Sequence, residues 1–158
     1  MNSHSSLLQI VAYQPEIAQN LGNMIRTCAC LNLSLAVVEP CGFPFSMKAL
    51  KRSAMDYADI AEVTRHNDWA QYCENIPRRR ILLTTKTTQS YLDFQFHPGD
   101  ALVLGQESAG VPEYVAKDCD ALITIPMPGG GRSLNVSTSM AIVASEALRQ
   151  LREINTES

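Results

Sequence analysis

Arg80-Ile-Leu-Leu-Thr-Thr85 and Ala101-Leu-Val-Leu-Gly105 are the stretches on which the fold turns. Each is a short apolar run with almost no polar interruption and no alternation. Such runs suit strands covered on both faces, as in a parallel sheet packed between helices. Ala121 to Ile125 (ALITI) repeats the pattern. Toward the N-terminus, Leu7 to Tyr13 (LLQIVAY) is another run of strand type, stopped by Pro15. Leu35 to Glu39 is a further strand, ended by a Pro-Cys-Gly turn.

Between these runs the period changes. From Gln19 to Leu31, apolar Leu21, Met24, Ile25, Cys28 and Leu31 recur at helical spacing. Ser46 is placed to cap a short helix carrying Lys48, Leu50 and Lys51, and Asn67 to cap the helix DWAQYCE. Pro112 suits the first turn of a helix running to about Lys117. Val136, Met140, Val143, Ala147 and Leu151 form a last helix from a polar start near Asn135. Strands alternating with helices predict one α/β domain over 1–158, its mostly parallel sheet flanked by helices.

Composition agrees. The 158 residues are 46% hydrophobic and 18% charged, enough apolar material for one core. No internal repeat, low-complexity tract or linker interrupts them. No apolar run has the length of a membrane span, and the opening Met1 to Ser6 is polar, unlike a signal peptide. The expectation is a soluble, cytoplasmic protein with no membrane partner. The five cysteines form no CxxC pair, and Cys28 and Cys30 read as buried free thiols. His4, His66 and His97 are scattered, so no metal is expected.

The net charge of −3 does not mark a nucleic-acid binder, although a local basic face would suffice for one. Two basic runs are available, Lys48-Lys51-Arg52 and Arg78-Arg79-Arg80; each is a phosphate-contacting face or simply solvated surface. A small acidic chain that binds RNA would do so as a dimer, combining the basic patches of two subunits.

In open α/β sheets, ligands bind beyond the carboxyl ends of the strands. Three such ends carry unusual residues: Thr84-Thr85-Lys86, then Gln106 to Pro112, then Pro126 to Asn135. The last two are Gly-rich, are expected to leave neighbouring strands, and enter helices. Glycine lets backbone approach a ligand, and a helix N-terminus offers unpaired N–H groups. Neither loop is a P-loop or a dinucleotide fingerprint. Each alone is compatible with an ordinary connection; together they favour a ligand site. On the first helix Asn20, Asn23 and Arg26 neighbour one another opposite Leu21, Ile25 and Cys28, as a solvated face or a functional one. Physical reading of the residues thus reaches a ligand-binding α/β domain with a candidate arginine, and no reaction.

Three motifs, in order and at these separations, supply more. Asn20-Leu-Gly-Asn23-Met-Ile-Arg26 has the form N-x-G-N-x-x-R. Leu104-Gly105-Gln106-Glu107-Ser108-Ala109-Gly110-Val111-Pro112 contains G-x-E-x-x-G. Ile125-Pro126-Met127 is followed by Arg132-Ser133-Leu134-Asn135-Val136-Ser137, I-P-M and then R-S-L-N-x-S. From Leu8 to about Arg152 the chain resembles the SPOUT class of RNA methyltransferases. Within that class it is similar to the small tRNA wobble-ribose methyltransferases of the TrmL type, through Pro15-Glu16-Ile17, Glu39-Pro40-Cys41-Gly42-Phe43, Leu50 to Tyr57 and Val63 to His66. As in that group, no appended RNA-binding domain is expected. It departs from the class in Gln106 and in the triple glycine Gly129 to Gly131.

The resemblance implies a deep trefoil knot within about 80–152, a homodimer packed through the first and last helices, and S-adenosylmethionine as cofactor. By position it implies cofactor contacts at Leu83, Gly105, Ile125, Ser133 and Leu134. It implies that Arg26 acts on the ribose 2′-hydroxyl, with Asn20 and Asn135 positioning Arg26 and the ribose, and Glu107 and Gly110 shaping the loop. Arginine is almost always protonated, so Arg26 would lower the hydroxyl's pKa electrostatically. Lys48, Lys51, Arg52, Lys86 and Arg132 are candidates for contact with tRNA. Alternatives are a ribose methyltransferase acting on ribosomal RNA or another tRNA position, a base methyltransferase, a non-catalytic knotted RNA-binding protein, and a generic α/β phosphate-binding protein.

Overall fold

The buried apolar runs become strands β1 (Leu8–Tyr13), β2 (Ser34–Val38), β4 (Arg80–Leu83), β5 (Asp100–Leu104) and β6 (Ala121–Ile123), with a further strand, β3 (Val63–His66), at one edge. The computed structural model describes residues 6–55 and 61–156; Asp56 and Tyr57 of the resemblance lie outside them. All paired strands are parallel, in the order β3-β2-β1-β5-β4-β6. Every residue of β1, β2 and β5 is buried, as expected of central parallel strands covered on both faces.

Side chains alternate across the sheet, so each central strand feeds two cores. On one face Ile10 and Ala12 meet Leu21, Met24, Ile25 and Cys28 of α1 (Ala18–Leu31) and Met140, Val143 and Ala147 of α5 (Val136–Thr156). On the other, Val11 and Tyr13 pack with Trp69 and Tyr72 of α3 (Trp69–Asn75) and Val115 of α4 (Glu113–Lys117). The remaining helix, α2 (Met47–Ala54), rests on α1. Gly22 makes that approach possible: a Cβ there would lie 2.2 Å from the Cβ of Ser53.

Several local expectations are corrected. Asn67 is not the cap of α3; Asp68 is, accepting from the backbone N–H of Gln71 at 2.8 Å. Ser46 does cap α2, accepting from Ala49 N–H. Pro112 precedes α4 as its N-cap instead of occupying its first turn. β4 and β6 end at Leu83 and Ile123, two residues before the apolar runs do. The strands β5 and β6 are not neighbours, because β4 lies between them. Cys28 is buried, and burial pushes its thiol up to about 12, but Cys30 is exposed. β3 was not anticipated because Thr64 and Arg65 are polar and exposed, as an edge strand tolerates.

The run Arg78-Arg79-Arg80 is not merely solvated surface, because each arginine bonds to groups of its own chain. Arg78 donates to Gly99 O at 2.9 Å, and Arg79 grips the buried Asp100 with two hydrogen bonds of 2.9 and 2.7 Å. Arg80 lies near the Trp69 and Tyr72 rings and donates toward the carbonyls of Cys73, Ile76 and Asp118. All three bracket the start of β4 to its surroundings. Removing Arg79 would leave the Asp100 carboxylate buried without its cation.

Candidate active site

The carboxyl ends of β4, β5 and β6 open onto a cleft of about 1030 Å³, large enough for a nucleoside-sized ligand. Pairing stops at Leu83↔Leu104 and Leu83↔Ile123, so the backbone of Gly105 and Ile125 continues past the last paired residues into the cleft wall. β4, lying between the other two, lets the two Gly-rich loops face each other across its end. Their convergence therefore comes from a strand inserted between them and not from direct adjacency.

The loop after β5 folds back on itself. Gln106 and Gly110 exchange backbone hydrogen bonds of 2.8 and 3.0 Å, and Gly110 takes φ +65°, which favours glycine. Gly105 packs directly under that turn. A Cβ on it would come within 2.6 to 2.9 Å of three backbone atoms of Gly110. This hairpin presents Glu107 inward and ties it to α1 and α5.

Asn20, on the first turn of α1 and 7% exposed, is the centre of that tie. Its Nδ2 donates to Glu107 Oε2 at 2.9 Å, and its Oδ1 accepts from Asn135 Nδ2 at 3.0 Å. Asn135 in turn caps α5, its Oδ1 accepting from the N–H groups of Ser137 and Thr138 and from the Ser137 hydroxyl. One buried amide thus joins the three motif segments, and each polar atom has a partner of the right kind. Glu107 Oε1 also accepts from Glu16 N–H at 3.2 Å.

Leu83, Gly105, Ile125, Ser133 and Leu134 all line the cleft, as do Asn20, Lys86, Glu107, Gly110, Arg132 and Asn135. Arg26 does not. It lies on the exposed side of α1, its Nη1 2.9 Å from Met55 Sδ. Six residues beyond Asn20, it is about 9 Å further along the helix and turned well away from it. Lys48, Lys51 and Arg52 lie on α2, outside the cleft lining. Sequence reasoning gave no role to Glu16 or Ser108, which clasp each other at the rim: Glu16 accepts from Ser108 N–H and from its hydroxyl at 3.0 and 2.8 Å. The signs in the sequence were Pro15-Glu16-Ile17, part of the resemblance, and the place of Ser108 inside the second motif.

Among the described residues lining the cleft there is no histidine and no cysteine, and the only carboxylates are Glu107 and Glu113. Glu107 is held by an amide and a backbone N–H. The lining therefore offers hydrogen-bonding backbone, fixed amides and two cations, Lys86 and Arg132. Among the described residues no three His, Cys, Asp or Glu side chains gather as a metal site, and no helix is long and apolar enough to cross a membrane.

Residues 7–145 match the model of the SpoU rRNA methylase family. The chain belongs to that family. A relative from Beijerinckia indica, a tRNA (cytidine(34)-2′-O)-methyltransferase, is 46% identical over 145 residues, covering 90% of this chain and 91% of its own. One of the same description from Escherichia coli K12 is 40% identical over 148 residues, with 92% and 94% covered. A solved structure concerned with the 2-OH methylation of C/U34 on tRNA superposes with a TM-score of 0.88 at 38% identity, covering 94% of this chain and 99% of that one. The SpoU family membership agrees with the methyltransferase class inferred from the three motifs.

Proposed function

We propose that this chain methylates the ribose 2′-hydroxyl of the tRNA wobble nucleotide, residue 34, using S-adenosylmethionine. One observation carries the reading: near-full-length identity of 46% to a cytidine-34 methyltransferase, over a span containing every cleft-lining residue. The family's own description names ribosomal RNA, but relatives alike over nine tenths of the chain act on tRNA.

The cleft fits the cofactor chemically. S-adenosylmethionine supplies an electrophilic methyl group on a sulfonium. The backbone beyond Leu83, Gly105 and Ile125, with Ser133 and Leu134, would hold it, matching a lining rich in main chain and poor in formal charge. The Asn20–Glu107–Asn135 network fixes the loops around it, so little reorganisation is left for the moment of reaction. Arg26 is the group that favours loss of the ribose hydroxyl's proton, by placing a permanent positive charge beside the developing alkoxide.

Arg26 lies outside its own chain's cleft, and a homodimer accounts for this. Packing through α1 and α5 brings Arg26 of each protomer to an interface, where it can serve the cleft of the other. Leu31, Ile142 and Leu148 line a groove on those helices, as such packing requires. A trefoil knot within about 80–152, in a single domain, is part of the same reading. It is supported by the segment leaving β6: Thr84 N–H donates to Ile123 O, Thr124 N–H to Gln89 O, and Tyr91 N–H to Thr124 O. The 84–91 loop thus lies against the chain leaving β6, and α5 is tied to the same β4–β5 connection through Gln150 and the backbone of Phe94 and Phe96. Lys48, Lys51, Arg52, Lys86 and Arg132 are the basic residues proposed to meet tRNA, which implies work in the cytoplasm.

The test is mass spectrometry of nuclease-digested tRNA from cells lacking the protein, before and after incubation with pure protein and S-adenosylmethionine. A new 2′-O-methylnucleoside at position 34 is expected. Methylation of ribosomal RNA, or of another tRNA position instead, would overturn the substrate assignment.

A further inference from the structure

We infer that Glu16 is a positioning residue that couples the cofactor-side loop to the substrate-side loop, and that it acts through Ser108 and Gly42. The inference rests on the methyltransferase reading for the identity of the two ligands. The contacts themselves stand apart from it.

Glu16 follows β1 and lies between two loops that are far apart in sequence. On one side its carboxylate takes both donors of Ser108, the N–H at 3.0 Å and the hydroxyl at 2.8 Å. Its own N–H returns a bond to Glu107 Oε1 at 3.2 Å. These three bonds cross 91 and 92 residues of sequence and close a ring between the β1–α1 connection and the hairpin 105–110. Gln106 Nε2 adds a further bond to Gln14 O at 3.2 Å. On the other side, Gly42 N–H donates to Pro15 O at 2.9 Å. A Cβ on Gly42 would lie 3.0 Å from both the Cα and the carbonyl oxygen of Glu16, so the chain at 42 rests directly on the Glu16 backbone. Gly42 belongs to the connection leading to α2, which carries Lys48, Lys51 and Arg52.

The arrangement is selective in its chemistry. Glu16 has no salt-bridge partner among the described residues, although a surface glutamate commonly pairs with a lysine or arginine. Its acceptors are instead spent on one serine of the cleft loop. A carboxylate that accepts a backbone N–H and a hydroxyl from one residue fixes that residue's position and orientation together. If the hairpin shifts on binding the cofactor, Glu16 must follow, and the backbone at Gly42 with it. Cofactor occupancy is thereby transmitted to the loop that leads to the basic helix. Glu16 is not among the residues lining the cleft, so it acts by placement alone.

The test uses the full-length protein, with S-adenosylhomocysteine binding by calorimetry and KM for tRNA as separate readouts. Glu16→Ala should weaken S-adenosylhomocysteine about tenfold, the effect of one lost charge-assisted hydrogen bond on a loop, and raise the KM for tRNA as well. Ser108→Ala, which keeps its N–H, should show a smaller loss, and the double variant should be no worse than Glu16→Ala. Glu16→Gln, which retains an acceptor for the Ser108 N–H, should recover most of the affinity with an unchanged melting temperature. Unchanged cofactor affinity in Glu16→Ala, additive losses in the double variant, or a tRNA KM that stays at the wild-type value would each overturn the coupling. Wild-type protein that binds S-adenosylhomocysteine but leaves nucleotide 34 unmodified would refute the substrate reading; the calorimetric series would still judge the clamp.

Discussion

Asn20→Asp changes one NH₂ to an oxygen at the centre of the site and alters almost nothing else in shape. The contact with Asn135 survives, because the other side-chain oxygen still accepts from Asn135 Nδ2. Opposite, a carboxylate oxygen now faces Glu107 Oε2 across 2.9 Å, where an amide donor used to sit. At an effective dielectric of 20, two unit charges at that separation repel by about 6 kcal/mol. The molecule has a cheaper route, which is to bind one proton between the two carboxyls. Protonating a carboxyl of ordinary pKa near 4.2 at pH 7 costs about 4 kcal/mol, so that value caps the destabilisation. The shared proton gives the pair a folded-state pKa above the unfolded one, and the folded protein binds more protons than the unfolded chain. Stability must then fall as pH rises, starting near the unfolded pKa of about 4 and continuing until the raised one is passed. The measurement is the thermal midpoint of wild type and variant from pH 4.5 to 8. The gap should be small at the acid end and widen toward neutrality. A gap that is constant with pH, or larger in acid, would refute the claim that Glu107 is directly bonded to Asn20.

Arg26→Ala should abolish methyl transfer while S-adenosylhomocysteine affinity, followed by calorimetry, stays near wild type, since Arg26 lies outside the cleft lining. Gly105→Ala forces a Cβ against three backbone atoms of Gly110. It should weaken cofactor binding by at least tenfold and lower stability by about 1–3 kcal/mol in chemical denaturation. Gly22→Ala should cost a similar amount through the α1–α2 contact, and Ser53→Gly in the same chain should recover part of it, because the clash is with the Ser53 side chain. Arg79→Ala leaves the buried Asp100 carboxylate without its cation and should cost roughly 3 kcal/mol, read as a shifted urea midpoint.

The elements with one periodicity were legible from residues alone. β1, β2 and β5 announce themselves as unbroken apolar runs because both of their faces are buried, and α5 does so because one stripe of it meets the sheet. β3 stayed hidden, since an edge strand with Thr64 and Arg65 in water carries no such pattern. The candidate site was legible to the extent that motifs are contiguous: Asn20, Glu107 and Asn135 stand in three segments whose order and spacing mark them. Glu16 and Ser108 lie within quoted motif segments, but nothing in the sequence pairs them, and the arginine run was ambiguous, because charge in a sequence does not reveal its partner.

Local sequence determined which segments would be strands, helices and Gly-rich turns, since periodicity and backbone freedom depend on near neighbours. Only the tertiary structure decided that β4 lies between β5 and β6, and so which loops face each other across the cleft. It alone decided that Asn20 meets Glu107 across 87 residues and Asn135 across 115, whereas Arg26, a turn and a half from Asn20, faces elsewhere. The physical reason is that a hydrogen bond is fixed by distance and direction in space, and strand order sets both for residues far apart in the chain.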